Sequence, residues 1–235
     1  MKSIFLNGNK QKPAILLLHG FGGNLIEMQE LGMLLAQLGH TVSIPLHPGH
    51  GMTFKDFLNT KISLWYEHSL AEYDRLKETY DKVIVMGLSM GGAMTLRIGI
   101  DREPYKLVSM SAPLIAFTQE QMEVHTRDEI NRHQEINHMD KDRYYEIFYH
   151  IKQENNRFYE DDKKYLSKIT SPILVIQGLK DHDRYKESSK MIIEGVNSKV
   201  VMHKYYEASG HVITMDKEKQ EVFKDIIEFV GINHE

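Results

Sequence analysis

The sequence predicts a mostly parallel, doubly wound α/β sheet with helices on both faces, and three observations lead to it. Short continuous apolar runs, each closed by Gly, Pro, Ser or polar residues, recur along the chain, as strands buried on both faces require. Between them lie stretches with apolar residues three and four apart, the period of a helix with one buried face. The two patterns alternate, the order that builds a parallel sheet through right-handed crossovers.

Taken in order, residues 2–6 offer an antiparallel edge strand, and Ala14–Leu18, ended by His19-Gly20, is the first buried strand. Leu25, Met28, Leu31, Leu34, Leu35 and Leu38 then mark a helix stopped by Gly39. Further strands are expected at 41–44, 82–86, 106–110, 172–176 and 200–202. Helices are expected at 65–80, 90–100, 188–196 and 216–230, the last with Asp216 as its N-cap. Residues 114–169 break the rhythm: they hold no strand pattern, are rich in charged residues, His and Tyr, and read as helical. Thr118 and Gln121 fit a capping box, and Asn155-Asn156 is expected to end a helix containing Tyr144, Ile147, Phe148 and Ile151. This segment reads as a small helical cap inserted after the sixth strand of one domain spanning 1–235.

Composition narrows the function classes. The chain has 235 residues, 41% of them hydrophobic and 26% charged, which matches a globular protein with a real core. A net charge of −4 gives no basic footprint for nucleic acid or an anionic membrane surface. No apolar run approaches the length of about 20 residues that spans a bilayer, so stable membrane insertion is not expected. Cysteine is absent, which excludes disulfides, thiolate nucleophiles and Cys-ligated metals. A short and weak apolar N-terminus lacks the pattern of an export signal, and a cytoplasmic location is the expectation.

The chemistry is concentrated in four segments. Gly87-Leu88-Ser89-Met90-Gly91 follows a strand and opens a helix, the context in which G-x-S-x-G makes a nucleophile elbow. Ser89 is the candidate nucleophile, and the Met90 N–H, at a helix N-terminus, is a candidate oxyanion donor. His19-Gly20-Phe21-Gly22-Gly23 offers the Phe21 N–H as the second donor; the competing reading, a phosphate-cradling turn, lacks the full G-x-G-x-x-G spacing. Gly178-Leu179-Lys180-Asp181-His182-Asp183 and Ser209-Gly210-His211 come after the two last strands, in the chain order nucleophile, acid, base. His211 is the candidate base and Asp181 the candidate acid, with Asp183 as its rival. His47 and His50 are expected to hold their own turn. No H-E-x-x-H occurs, His133 and His138 are five apart, off one helical face, and no metal or cofactor is expected.

These segments, with Pro48-Gly49-His50-Gly51 and Ser209-Gly210-His211-Val212-Ile213-Thr214-Met215-Asp216, resemble bacterial carboxylesterases and monoacylglycerol lipases of the α/β-hydrolase superfamily. The resemblance runs along nearly the whole chain. It implies an α/β-hydrolase fold and favours Asp181, which fits the family's G-x-x-D pattern. It also implies an acyl pocket near the oxyanion loop, with Phe21, Leu25, Met90, Leu114 and Ile115 as its candidates. The expected activity is a serine carboxylesterase acting on short- to medium-chain esters or monoacylglycerols through an acyl-enzyme, with a small-molecule ester as partner. Alternatives are an amide or carbon–carbon bond hydrolase, an acyltransferase, or a non-catalytic receptor on the same scaffold. The oligomeric state is left open, a dimer among the options.

Overall fold

The computed structural model describes residues 2–132 and 140–231. Seven strands form one sheet in the order β1-β3-β2-β4-β5-β6-β7: β1 (Ile4–Leu6), β2 (Ala14–Leu18), β3 (Val42–Ile44), β4 (Val83–Leu88), β5 (Lys106–Met110), β6 (Ile173–Gly178) and β7 (Val201–Tyr206). Only β1 runs antiparallel, pairing Phe5 with Ser43 at the edge, and all other neighbours are parallel. The expected α/β-hydrolase architecture is therefore present.

Continuous apolar strands result from burial on both faces. Along β2, Ala14, Leu16 and Leu18 enter one core while Ile15 and Leu17 enter the other, and β4 and β6 divide in the same way. The first core lies under α3 (Ile62–Lys77) and α4 (Met90–Asp101), with Trp65 fully buried at its centre. The second lies under α1 (Ile26–Gln37) and α8 (Lys219–Gly231), with Phe223 and Phe229. Lys106, buried in β5, donates from Nζ to the Phe229 and Val230 carbonyls at 2.8 and 3.0 Å, so a cation meets the negative end of α8.

Several boundaries differ from the sequence expectation. The inserted segment leaves the sheet after the fifth strand in chain order, not the sixth. It contains α5 (Gln119–Arg132) and α6 (Lys141–Tyr165), and α6 passes through Asn155-Asn156 without a break. Asn156 is turned inward instead: its Oδ1 accepts from the Phe117 N–H at 3.1 Å and its Nδ2 donates to the Phe117 carbonyl at 3.0 Å. The Thr118–Gln121 capping box is formed, with bonds of 3.0 and 3.2 Å. α7 (Asp183–Gly195) begins five residues earlier than the apolar pattern indicates, and a short helix, α2 (Phe54–Leu58), has no counterpart in that pattern. Asp216 does not cap α8; its carboxylate accepts from the Gly210 N–H at 2.6 Å and ties down the loop before it. His133 and His138 lie outside the described residues.

Candidate active site

The parallel strands deliver three loops to one edge of the sheet, the edge where open α/β sheets bind ligands. The turn from β4 into α4 is the tightest. Ser89 has φ 55° and ψ −118°, a backbone region that L-residues avoid, and its N–H donates to the Met110 carbonyl at 2.8 Å. Its neighbours must be glycine: a Cβ on Gly87 would lie 2.1 Å from the Gly91 carbonyl oxygen, and one on Gly91 would lie 2.2 Å from that of Leu18. The turn lifts Ser89 clear of the sheet and sets it at the start of α4. Met90 is the first residue of that helix, whose N–H has no intrahelical acceptor.

The loop after β7 brings His211 over Ser89, with Nε2 2.8 Å from Oγ. On the other side of the ring, Nδ1 lies 2.8 Å from Asp181 Oδ2. The acceptor at Nδ1 fixes the tautomer: the proton sits on Nδ1, leaving the Nε2 lone pair for the Ser89 hydroxyl. Asp181 is itself held. Gln177 Nε2 donates to Oδ2 at 2.9 Å and the His182 N–H donates to Oδ1 at 2.7 Å, and the side chain is only 3% exposed. Its rival Asp183 begins α7, has a side chain 88% exposed, and is paired with Lys186 at 2.7 Å. The His211 loop is anchored through Glu218, which accepts from Ser209 Oγ and the Ala208 N–H, and the Tyr185 ring rests 4.2 Å from the imidazole.

The loop after β2 completes the site. Two residues outside the candidate catalytic residues hold it in place. Glu27, in the first turn of α1, accepts the Gly20 N–H at 2.8 Å; burial raises its carboxyl pKa, opposed by that hydrogen bond and by the nearby His211. His50 accepts the Gly22 N–H on Nε2 at 3.2 Å. That role needs a neutral ring, and burial pushes His50 down to about 4. His19, likewise lowered by burial to about 3, accepts the His47 N–H at 3.2 Å, and the two rings pack 4.2 Å apart. Within its own turn His50 Nδ1 lies 3.3 Å from the Pro48 carbonyl, while the two ring nitrogens of the buried His47 make no hydrogen bond among the described residues. Phe21 lies between these anchors.

A cavity of about 300 Å³ opens beside Phe21 and Gly22. Its walls are Phe21, Phe54, Phe57, His50 and, from α6, Phe148 and Lys152. Of the residues expected to line an acyl pocket, Phe21 borders this cavity and the other four do not. Leu25 is 1% exposed and sits in the opposite core, under α1; Leu114 and Met90 are fully buried in the core beneath α4. Ile115 is fixed through its N–H to Ser188 Oγ at 3.2 Å and is not among the cavity residues. Phe57, Phe148 and Lys152 border the cavity. The Thr53-x-x-Asp56 capping spacing marks the helix that carries Phe57, whereas Phe148 is visible in the sequence only as part of a helical stripe.

Known proteins resemble this chain in sequence and in fold. The family described as serine aminopeptidase, S33, matches residues 9–136. A carboxylesterase of Bacillus subtilis (strain 168) is 30% identical over 241 residues, covering 96% of this chain and 94% of that protein. A thermostable monoacylglycerol lipase of Bacillus sp. (strain H-257) is 38% identical over 82 residues, 35% of this chain and 33% of that protein. Among solved structures, one from a study of the metagenome-derived lipolytic enzymes LipS and LipT superposes with a TM-score of 0.81 at 21% identity, covering 97% of this chain and 96% of that one. At that identity the superposition speaks for the fold, while the full-length relative carries the kinship: the chain belongs to the carboxylesterase and monoacylglycerol lipase group of the α/β-hydrolase superfamily.

Proposed function

We propose that this ester hydrolase acts on short- to medium-chain carboxylic esters or monoacylglycerols through an acyl-enzyme on Ser89. The observation that carries the reading is the unbroken chain from Ser89 Oγ through His211 to Asp181, each link 2.8 Å long. Ser89 Oγ attacks the ester carbonyl while His211 Nε2 takes its proton. The Asp181 carboxylate, oriented by the N–H groups of Gln177 and His182, stabilises the imidazolium that results. The carbonyl oxygen, now an anion, is received by the Phe21 and Met90 N–H groups. His211 returns the proton to the departing alcohol. Water then enters, gives a proton to His211 and releases the acid, restoring the Ser89 hydroxyl.

The aromatic cavity beside Phe21 takes the acyl chain. Its volume of about 300 Å³ lies at the low end for small-molecule sites, which favours short and medium chains over long ones. Helices α5 and α6 act as a cap over it within a single domain. The test is kcat/KM on p-nitrophenyl and glyceryl esters of graded chain length, beside amide and carbon–carbon bond substrates. An optimum at short to medium length supports the reading. Turnover of an amide or a carbon–carbon bond substrate with no ester hydrolysed overturns it.

A further inference from the structure

The aromatic cavity is lined on one side by a cation that makes no ion pair among the described residues. Lys152, on α6, lines the cavity and is half-buried, with its Nζ 5.2 Å from the centre of the Phe148 ring and 5.5 Å from that of Phe117. Among the described residues no carboxylate lies within ion-pairing distance of it. Asp128 and Glu129 of α5 attract it from farther off, and the Glu129 carboxylate, which also lines the cavity, is engaged by Arg132 at 3.2 Å. A second cation stands nearby. The Arg184 guanidinium lies 3.5 Å from the centre of the same Phe117 ring, is 7% exposed, and its Nε and Nη1 find no acceptor among the described residues. Phe117 is clamped at both its N–H and its carbonyl by Asn156, so the ring holding the two cations is fixed.

An ammonium drawn out of water without an ion-pair partner is unfavourable in the empty protein, and burial lowers Lys152 to about 8, leaving it mostly charged at neutral pH. The rings on which it rests supply only a weak attraction. Were the cavity meant for a plain hydrocarbon chain, an apolar residue at 152 would serve better. A chain that ends in an anion removes the difficulty, because its apolar body lies against the Phe21, Phe57 and Phe148 rings and its end meets the cation.

We propose that the cavity selects esters whose acyl chain ends in a carboxylate, and that Lys152, backed by Arg184, is the residue that recognises the anion. The assignment rests on Ser89-dependent ester hydrolysis with the acyl chain in this cavity.

The test compares p-nitrophenyl monoesters of the dicarboxylic acids from adipic to sebacic with p-nitrophenyl esters of the monocarboxylic acids of equal chain length. In the wild type, kcat/KM for the anionic member exceeds that for the neutral one at one chain length at least. Lys152→Met lowers the ratio of anionic to neutral kcat/KM by about tenfold or more, the worth of one charge-assisted hydrogen bond. Lys152→Arg retains most of the ratio. An unchanged ratio in Lys152→Met, or a wild type that prefers the neutral ester at every length, overturns the assignment. Calorimetric binding of monomethyl suberate to Ser89→Ala, with and without Lys152→Met, repeats the comparison without turnover. Lys152-dependent binding in a protein that hydrolyses no ester would refute the catalytic reading and keep the anion site; equal binding in both would remove the site alone.

Discussion

Changing Asp181 to Asn keeps the side chain's size and removes its charge, and the hydrogen bonds around it decide the outcome. In the wild type Oδ2 accepts from His211 Nδ1 at 2.8 Å and from Gln177 Nε2 at 2.9 Å, while Oδ1 accepts from the His182 N–H at 2.7 Å. An amide has one acceptor oxygen instead of two. With that oxygen turned to His182, the new NH₂ points at Nδ1 and forces the imidazole into the other tautomer, so that Nε2 presents a proton to Ser89 in place of a lone pair. With the oxygen turned to His211, the NH₂ meets the His182 N–H, leaving a buried donor unpaired at a cost of about 1–3 kcal/mol, and the imidazolium still loses its counter-charge. Either way the base fails. A fall in kcat on the order of 10⁴ is expected, as for the same change in a serine-protease triad, equal to about 5.5 kcal/mol of barrier. Asp183→Asn removes only an exposed, solvent-screened pair with Lys186, and kcat is expected to change by less than about twofold. The assay is kcat of both purified variants on one p-nitrophenyl ester, with thermal melts confirming that each is folded. If Asp183→Asn proves the more damaging, the acid has been assigned wrongly.

Three further outcomes are expected. Gly91→Ala puts a Cβ 2.2 Å from the Leu18 carbonyl oxygen, and separating α4 from β2 to relieve it lowers Tm by roughly 3–10 °C and reduces activity; a variant as stable and active as the wild type contradicts the tight turn. Burial raises the Glu27 carboxyl pKa, so folding loses stability as pH rises through the folded value, a loss that Glu27→Gln does not share. The Tm of Glu27→Gln minus that of the wild type therefore increases from pH 4.5 to pH 8, and a difference that stays flat or decreases removes the buried-carboxylate reading. Incubation with a chelator leaves ester turnover intact, because in the proposed route every proton transfer runs between Ser89, His211 and a substrate or water; activity lost to the chelator and restored by zinc contradicts that route.

Features under local control are legible in the sequence. The strands from Ala14, Val83, Lys106 and Ile173 announce themselves because burial on both faces leaves little room for polar residues. The elbow at Ser89 is legible because only glycine fits at 87 and 91, and His211 because the fold orders its loops along the chain. Contacts between distant segments are hidden. Glu27 reaches Gly20 seven residues away, and His50 reaches Gly22 across 28, and neither spacing belongs to a periodic pattern. Asn155-Asn156 looks like a break because Asn favours turns, but tertiary contact with Phe117 overrides that preference in mid-helix. Leu25 and Leu114 look like pocket residues because apolar side chains near a site read the same whether they face the core or the cavity.

Every step of the proposed mechanism depends on Ser89 as the nucleophile, and the most direct measurement is covalent labelling by a fluorophosphonate with intact mass and peptide mapping. The strained turn and the 2.8 Å contact with His211 predict one label per chain, on Ser89, with ester turnover lost in step and no label on Ser89→Ala. A label on another residue, or one that persists in Ser89→Ala while turnover is abolished, would contradict it.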